Sequence, residues 1–181
     1  SYSDEVDAKK ILLLNKNLNE LPKFLKEFFG GIAINISTNT RLAYSYDLKN
    51  FFNYLIKNEP DFDFLSINSF SLNDLSKVNV DHIENFLNYI TYYEKEDNNG
   101  IKHRYKNLEK AKSRKLSSIR RMFLYFNKKR KLSYNPANFV DNPKIHEKVI
   151  VRLDVKEISN LLDEVSSGSK LTERQRNYHN Y

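Results

Sequence analysis

Apolar residues recur at steps of three and four along most of this chain, and the alternating pattern typical of strands is nearly absent. Steps of three and four place apolar side chains on one face of an α-helix. Within residues 9–29 this spacing predicts one or two helices, because Pro22 can begin a second helical segment. Gly30 and Gly31 follow, and glycine commonly ends a helix.

A further helix is predicted from residue 38 to about residue 58. Residues 37–39, Ser-Thr-Asn, are favoured at a helix N-cap because their side-chain oxygens accept hydrogen bonds from free amides of the first turn. Asn58 and Pro60 mark the end of this helix. Its apolar stripe consists of Tyr44, Leu48, Phe51 and Leu55.

Residues 60–79 are rich in Ser, Asn and Asp, which predicts a connecting loop with a short helix around residues 72–77. Asp81 then opens another predicted helix, and residues 94–100 form a polar break after it. The inward-facing residues of this helix are predicted to be Ile83, Phe86, Leu87, Ile90 and Tyr93.

A long amphipathic helix is predicted from about residue 107 to residue 130, before Asn135-Pro136 stops the helical region. Its apolar residues cluster on one side of a helical wheel, and basic or hydroxyl residues lie on the other side. The apolar side comprises Leu116, Ile119, Met122, Phe123 and Phe126. The opposite side comprises Lys110, Arg114, Ser118, Arg121, Tyr125 and Lys128.

The positive charge of the chain is concentrated in and just before this helix. The 181 residues carry a formal net charge of +7, with 30 Lys and Arg against 23 Asp and Glu. Residues 101–131 alone contain 13 basic residues and one acidic residue, whereas residues 61–100 contain 2 basic and 8 acidic ones. A basic helical face opposite an apolar stripe is typical of nucleic-acid contact. The alternative interpretation is a lysine-rich face that contacts only solvent.

The polar face of the 38–58 helix offers small and amide side chains, which can enter a nucleic-acid groove, where Asn can pair with adenine edges. Taken alone, this face is also consistent with ordinary solvation. Beside the basic helix, it extends the predicted contact surface. The residues predicted to contact nucleic acid are Asn39, Thr40, Tyr44, Tyr46 and Asn50 here, and Lys110, Arg114, Lys115, Ser118, Arg121, Tyr125 and Lys128 in the basic helix.

Several classes of site are excluded by the residue types present. The chain has no Cys, which excludes disulfides, zinc ribbons and thiol nucleophiles. Its four His residues have no metal-ligand spacing on one helix, and no glycine-rich phosphate loop occurs, so no metal or cofactor is predicted. The longest aliphatic run, Ile11–Leu14, is far too short to span a membrane, and a cytoplasmic location is the default expectation.

Two segments of the chain resemble, in order, the signature of a known family. The first comprises Ser37-Thr38-Asn39-Thr40, Tyr44, Asp47-Leu48, Phe51 and Tyr54-Leu55. The second comprises Ser113-Arg114, Leu116-Ser117-Ser118-Ile119-Arg120-Arg121, Phe123, Tyr125-Phe126 and Asn135-Pro136. Together they are similar to the core-binding domain of tyrosine recombinases, the Xer and phage or transposon integrase group. The resemblance covers roughly residues 16–165.

The resemblance implies a helical, SAM-like domain that forms one half of a C-shaped clamp around duplex DNA. Residues 149–162 are similar to the family's linker and the first helix of its catalytic domain. The family's catalytic Arg, Lys, His and Tyr residues lie further downstream, so neither Tyr178 nor Tyr181 is expected to be the nucleophile. The chain is therefore interpreted as an N-terminal fragment of such an enzyme, without strand-transfer chemistry of its own.

The predicted fold is all-α: a four- to five-helix SAM-like core-binding bundle over residues 1–140, a linker over 141–153 and the start of a truncated catalytic domain over 154–181. The predicted function is binding of a duplex DNA recombination site within a site-specific tyrosine recombinase. The fragment is expected to be monomeric, and the complete enzyme tetrameric on DNA. Two alternatives stay open: a helical DNA- or RNA-binding regulator with no enzymatic parent, and a protein-interaction module that uses the acidic residues 61–97.

Overall fold

Helices dominate the computed structural model, which describes residues 2–96, 102–106, 109–144, 159–160 and 162–163. The all-α class predicted from the sequence is confirmed. The helices are α1 (Tyr2–Asn19), α2 (Leu25–Gly31), α3 (Thr38–Asn58), α4 (Leu72–Leu75), α5 (Val80–Tyr89) and α6 (Glu109–Lys128). A 3₁₀ turn follows at Pro136–Phe139, and two short strands, β1 (Tyr92–Glu96) and β2 (Lys102–Lys106), lie between α5 and α6 in the chain.

The predicted helical region 9–29 consists of two helices, α1 and α2, and α1 packs against α3. A buried hydrogen bond joins this pair, because the Asn17 Nδ2 amide donates to the Ser45 hydroxyl at 2.9 Å. At the edge of the same contact, Lys49 of α3 forms an ion pair with Glu20. Leu14 of α1 is buried in the core. Polar contacts therefore fix the register of α1 on α3, and apolar burial holds the two together.

Phenylalanine rings connect the helices of the core. Phe24, just before α2, meets Phe52 of α3 and Phe126 of α6 edge-on, with ring centroids 6.0 and 5.5 Å apart. Phe51 of α3 packs in the same way on Phe86 of α5 at 5.2 Å. Each edge-on pair contributes about 0.5–1.5 kcal/mol beyond its buried area. The predicted apolar side of α6 is buried at all five of its positions, which confirms that stripe.

The N-terminus of α3 is capped as predicted, because the Ser37 hydroxyl accepts the amide of Thr40 at 3.3 Å. The start of α5 differs from the prediction. Asn79, not Asp81, is its N-cap, and Asn79 exchanges two hydrogen bonds with His82 in a capping box. Asp81 lies in the first turn, where a carboxylate also interacts favourably with the helix dipole.

An antiparallel hairpin occupies part of the predicted polar break at residues 94–100, so that prediction is wrong for the strand residues. Strands β1 and β2 pair from Tyr92↔Lys106 to Glu96↔Lys102. Tyr93, predicted to face inward on a helix, lies in β1, because α5 already ends at Tyr89. Charged residues within both strands hide the usual alternation, and tyrosines supply the β-propensity.

The chain divides into two compact units, residues 1–145 and residues 146–181. Residues 141–144 have no regular secondary structure, and the rest of the predicted linker, residues 145–153, lies outside the described residues. Within the helix predicted to begin at Asp154, the described residues 159–160 and 162–163 are helical, and the others are not described. No helix in the described ranges is both long enough and apolar enough to cross a membrane.

Candidate nucleic-acid interface

One carboxylate, that of Asp47 in α3, is buried where α3 meets α6. Its side chain is 1% exposed, and its Oδ1 atom lies 2.8 Å from Arg114 Nη2 and 3.1 Å from Lys115 Nζ. The Ser118 hydroxyl donates to the carbonyl of Lys115 at 2.8 Å and lies 3.4 Å from Asp47 Oδ2. We call these four residues the Asp47 cluster.

The Asp47 cluster corrects part of the predicted basic face. Ser118 is fully buried, so the prediction that it lies on the open basic side of α6 is wrong. Lys115, a predicted nucleic-acid contact, has a side chain that is only 9% exposed. The prediction from the helical wheel assumed that only the apolar stripe of α6 is buried. Because α3 also covers the neighbouring sector, a serine and a lysine there face another helix. Arg114, with its side chain 49% exposed, is the member of the cluster that reaches the surface.

Burial raises the pKa of the Asp47 carboxyl, and the nearby Lys115 and Arg114 charges only partly oppose this effect. Removing a carboxylate from water is costly, and paired cations return only part of that cost. The cluster is therefore poorly explained as a source of stability alone. It does fix which residues of α6 lie against α3.

The C-terminal half of α6 borders an open cleft of about 410 Å³. Arg121, Tyr125 and Lys128, three of the predicted contact residues, line one wall. Arg121 is partly exposed, Lys128 is fully at the surface, and neither has a carboxylate partner among the described residues. The remaining lining residues are Gly31, Ile32, Asn35, Leu124 and Lys129. The structure thus places three cations, an amide and a tyrosine around one concave surface.

Tyr125 shapes this cleft by packing on α2. Its ring meets Phe28 edge-on at 5.6 Å, and its hydroxyl donates to the Glu27 carbonyl at 3.3 Å. Gly31 permits this approach, because a Cβ atom there would overlap the Tyr125 ring. The Lys129 ammonium lies 5.8 Å from the centroid of the same ring. Tyr125 is therefore a wall of the cleft, with its hydroxyl proton already donated.

A second cleft of about 380 Å³ lies between α3, the end of α5 and α6. It brings together Asn50 and Lys115, one predicted residue from each of the two helices. Lys57 and Asn53 lie at the same surface of α3. The other lining residues are Lys49, Tyr54, Asn58, Phe86, Tyr89 and Ile90. Two of its three lysines are already paired, Lys49 with Glu20 and Lys115 with Asp47.

The remaining predicted residues line neither cleft. Asn39 and Lys110 are exposed, and Tyr46 is 44% exposed. Thr40 is committed to the cap, with its hydroxyl 3.0 Å from that of Ser37. Tyr44 is partly buried against the core.

Two residues that matter to this interface were not among the predicted contacts. Asp47 could have been found, because it falls at the apolar spacing of Tyr44, Leu48 and Phe51, where a charge must find a buried partner. Arg120 could not. Its guanidinium donates to the Ala137 carbonyl at 3.1 Å, to the Val140 carbonyl and to Asn142, and so fastens the segment after α6. No sequence pattern predicts that role of Arg120.

Other charges near α6 are compensated locally. Lys112 pairs with Glu109 at 3.2 Å, and Lys131 pairs with Glu27 at 2.6 Å. Over the part of the chain that the structure describes, no group of three His, Asp or Glu residues is placed to hold a metal ion. Among the described residues, the cations of α6 that have no carboxylate, carbonyl or amide oxygen as a partner are thus Lys110, Arg121 and Lys128.

The chain is 26% identical over 159 residues to "Tyrosine recombinase XerC" of Caldanaerobacter subterraneus subsp. tengcongensis. The match covers 82% of this chain and 42% of that relative, so the chain spans less than half the length of the relative it matches. No protein-family model matches the chain, and no solved structure matches it. The similarity supports a relation to the tyrosine recombinase family.

Proposed function

We propose that residues 1–140 are the DNA-binding, SAM-like core-binding domain of a site-specific tyrosine recombinase, and that α3 and α6 hold duplex DNA. In this proposal residues 141–153 are the linker and residues 154–181 begin the catalytic domain. Cutting and rejoining of DNA strands is the work of that domain's catalytic residues, none of which we assign within this chain.

The observation that carries the proposal is the cleft beside the C-terminal half of α6, with Arg121, Lys128 and Lys129 around it. Guanidinium and ammonium groups bind phosphate oxygens, and each neutralised phosphate releases counterions from the DNA. Asn35 in the same cleft and Asn50 in the α3 cleft add amides that can bond phosphates or base edges. A relation to tyrosine recombinases, which the similarity supports, makes duplex DNA the expected nucleic acid.

A salt titration of duplex binding tests this proposal. The parent chain should lose affinity linearly in the logarithm of salt concentration, with a slope of about −0.9 for each phosphate neutralised. Replacing Arg121 and Lys128 together by Ala should reduce that slope by about 2. Both side chains project away from the buried stripe of α6, so the helical circular dichroism should not change.

The matched control replaces Lys9 and Lys16, two exposed lysines of α1, by Ala, which removes the same charge from another surface. This variant should keep the parental slope. Equal losses in the two double variants would show that only net charge matters, and an unchanged slope for Arg121→Ala/Lys128→Ala would contradict the proposed interface. We also infer that the free chain is a monomer, for which light scattering should give about 21.5 kDa.

A further inference from the structure

The Asp47 cluster lies beside a surface for which we propose DNA binding, yet it contains a carboxylate, which repels phosphate. Its three charges are one anion and two cations, so one positive charge is left over. Lys115 is almost completely buried, whereas the Arg114 side chain is half exposed. The surplus charge is therefore accessible at Arg114.

The two cations use Asp47 differently. Lys115 needs the carboxylate in order to be buried at all, because an unpaired ammonium in the interior is very costly. Arg114 is at the surface and has no such need. Its guanidinium forms an ion pair with Asp47, with Nη2 2.8 Å from Oδ1, and a guanidinium has five N–H donors in all. One carboxylate cannot use all five of these donors, so some stay available to a second acceptor while the ion pair keeps the guanidinium beside Asp47.

We propose that Asp47 is a positioning residue for DNA binding, which holds the Arg114 guanidinium at the α3–α6 crossing so that its free N–H groups meet a backbone phosphate. This inference rests on the proposed function. The rigid fork of arginine suits such double use, since it can bond two oxyanions along different edges. The raised pKa of Asp47 is consistent with a cluster that serves geometry more than stability.

A purely electrostatic role for Asp47 gives the opposite expectation. If the carboxylate only cancels positive charge, its removal should tighten DNA binding, because the surface becomes more basic. If it positions Arg114, its removal should weaken binding even though net charge rises. The sign of the effect therefore separates the two roles.

The test is a double-mutant cycle in the full chain carrying Lys115→Met, which removes the buried ammonium that would otherwise be stranded. Replacing a buried ion pair by apolar residues of similar volume is often neutral or stabilising, so Asp47→Leu in this background should fold. Four proteins are compared on one duplex at about 0.15 M salt: Lys115→Met alone, with Arg114→Ala, with Asp47→Leu, and with both. Thermal melts establish that each is folded.

We expect Arg114→Ala to weaken binding about five-fold, the value of one phosphate contact at this salt concentration. Asp47→Leu should weaken binding by a similar factor, and Arg114→Ala should then have no further effect. Tighter binding by the Asp47→Leu variant would overturn the inference. So would a full loss on Arg114→Ala when Asp47 is already absent, or no loss on Arg114→Ala when Asp47 is present.

A second variant, Arg114→Lys, leaves Asp47 and Lys115 in place and does not depend on repacking the cluster. It keeps the charge, but an ammonium cannot reproduce the two-edged geometry of the guanidinium. We expect it to weaken binding nearly as much as Arg114→Ala, and parental affinity would overturn the inference. The salt slope of Arg121→Ala/Lys128→Ala, expected to fall by about 2, tests the proposed function separately, so the inference about Asp47 can fail while the proposed function stands.

Discussion

The two halves of α6 carry similar numbers of basic residues in very different surroundings. In residues 109–118, Arg114 and Lys115 share the buried carboxylate of Asp47. In residues 119–128, Arg121 and Lys128 border an open cleft and have no carboxylate partner in the described part of the chain. A run of positive charge along a helix is thus not one surface. The element packed against each turn decides whether a cation is structural or available to a ligand.

The largest expected effect is a loss of folding stability when the Asp47 cluster in the N-terminal half of α6 is broken. Asp47→Ala should lower the free energy of unfolding by about 3–5 kcal/mol, because it removes the side chain that accepts a hydrogen bond from Lys115 and leaves that ammonium buried without an acceptor. Urea denaturation followed by circular dichroism measures this change. The control is Glu27→Ala, which breaks the exposed pair with Lys131 and should cost less than about 1 kcal/mol. Equal losses would mean that the Asp47 cluster is no more structural than a surface pair.

In the C-terminal half, the close approach of Tyr125 to α2 predicts an intermediate effect. Gly31→Ala should cost about 1–3 kcal/mol, because the new methyl group would overlap the Tyr125 ring. Gly30→Ala is the matched control, since nothing lies within 4 Å of a Cβ atom at that position. It should be neutral or stabilise the helix by up to about 1 kcal/mol. If the two variants have the same melting temperature, Tyr125 does not pack on Gly31 as described.

The smallest expected effect is a pH dependence of the Asp47 cluster. Burial raises the pKa of Asp47 in the folded chain, so folding favours its protonated form. The resulting stabilisation is complete below the unfolded pKa of about 4 and is lost as pH rises through the folded pKa. Relative to the Asp47→Leu/Lys115→Met variant, the parent should therefore become less stable as pH rises from 4. A relative gain in stability over that range would show that the two cations outweigh burial.

Much of the helical framework could be predicted from the sequence, because local patterns determine it. Ser37 caps α3, and the apolar stripe of α6 is buried at every predicted position. The hairpin of β1 and β2 could not be predicted in the same way. Its strands carry charged residues at many positions, and their pairing joins residues that no helical period relates, from Tyr92↔Lys106 to Glu96↔Lys102. Charge within a strand removes the alternation on which a strand prediction depends.

The candidate site was predictable only where one helix supplies it. Arg121, Tyr125 and Lys128 share a cleft because they recur at helical spacing, as expected. Asn35 and Gly31 complete the same cleft from another part of the chain, and no local pattern connects them to α6. Ser118 was misplaced for a related reason, since the wheel of α6 contains no information about the position of α3. Contacts between distant segments set these details.

The most direct test of the account maps which surface meets DNA. In a ¹⁵N-labelled sample of the full chain titrated with a short duplex, chemical-shift changes should concentrate at Asn35, Arg121, Leu124 and Lys128, around the cleft of α6. The shift changes should be small at exposed acidic residues, whose charge repels phosphate. These residues are Asp61, Asp63, Asp81 and Glu84. Changes confined to that acidic group, or unchanged signals around the cleft at saturating duplex, would contradict the assignment of α6 as the DNA-binding helix.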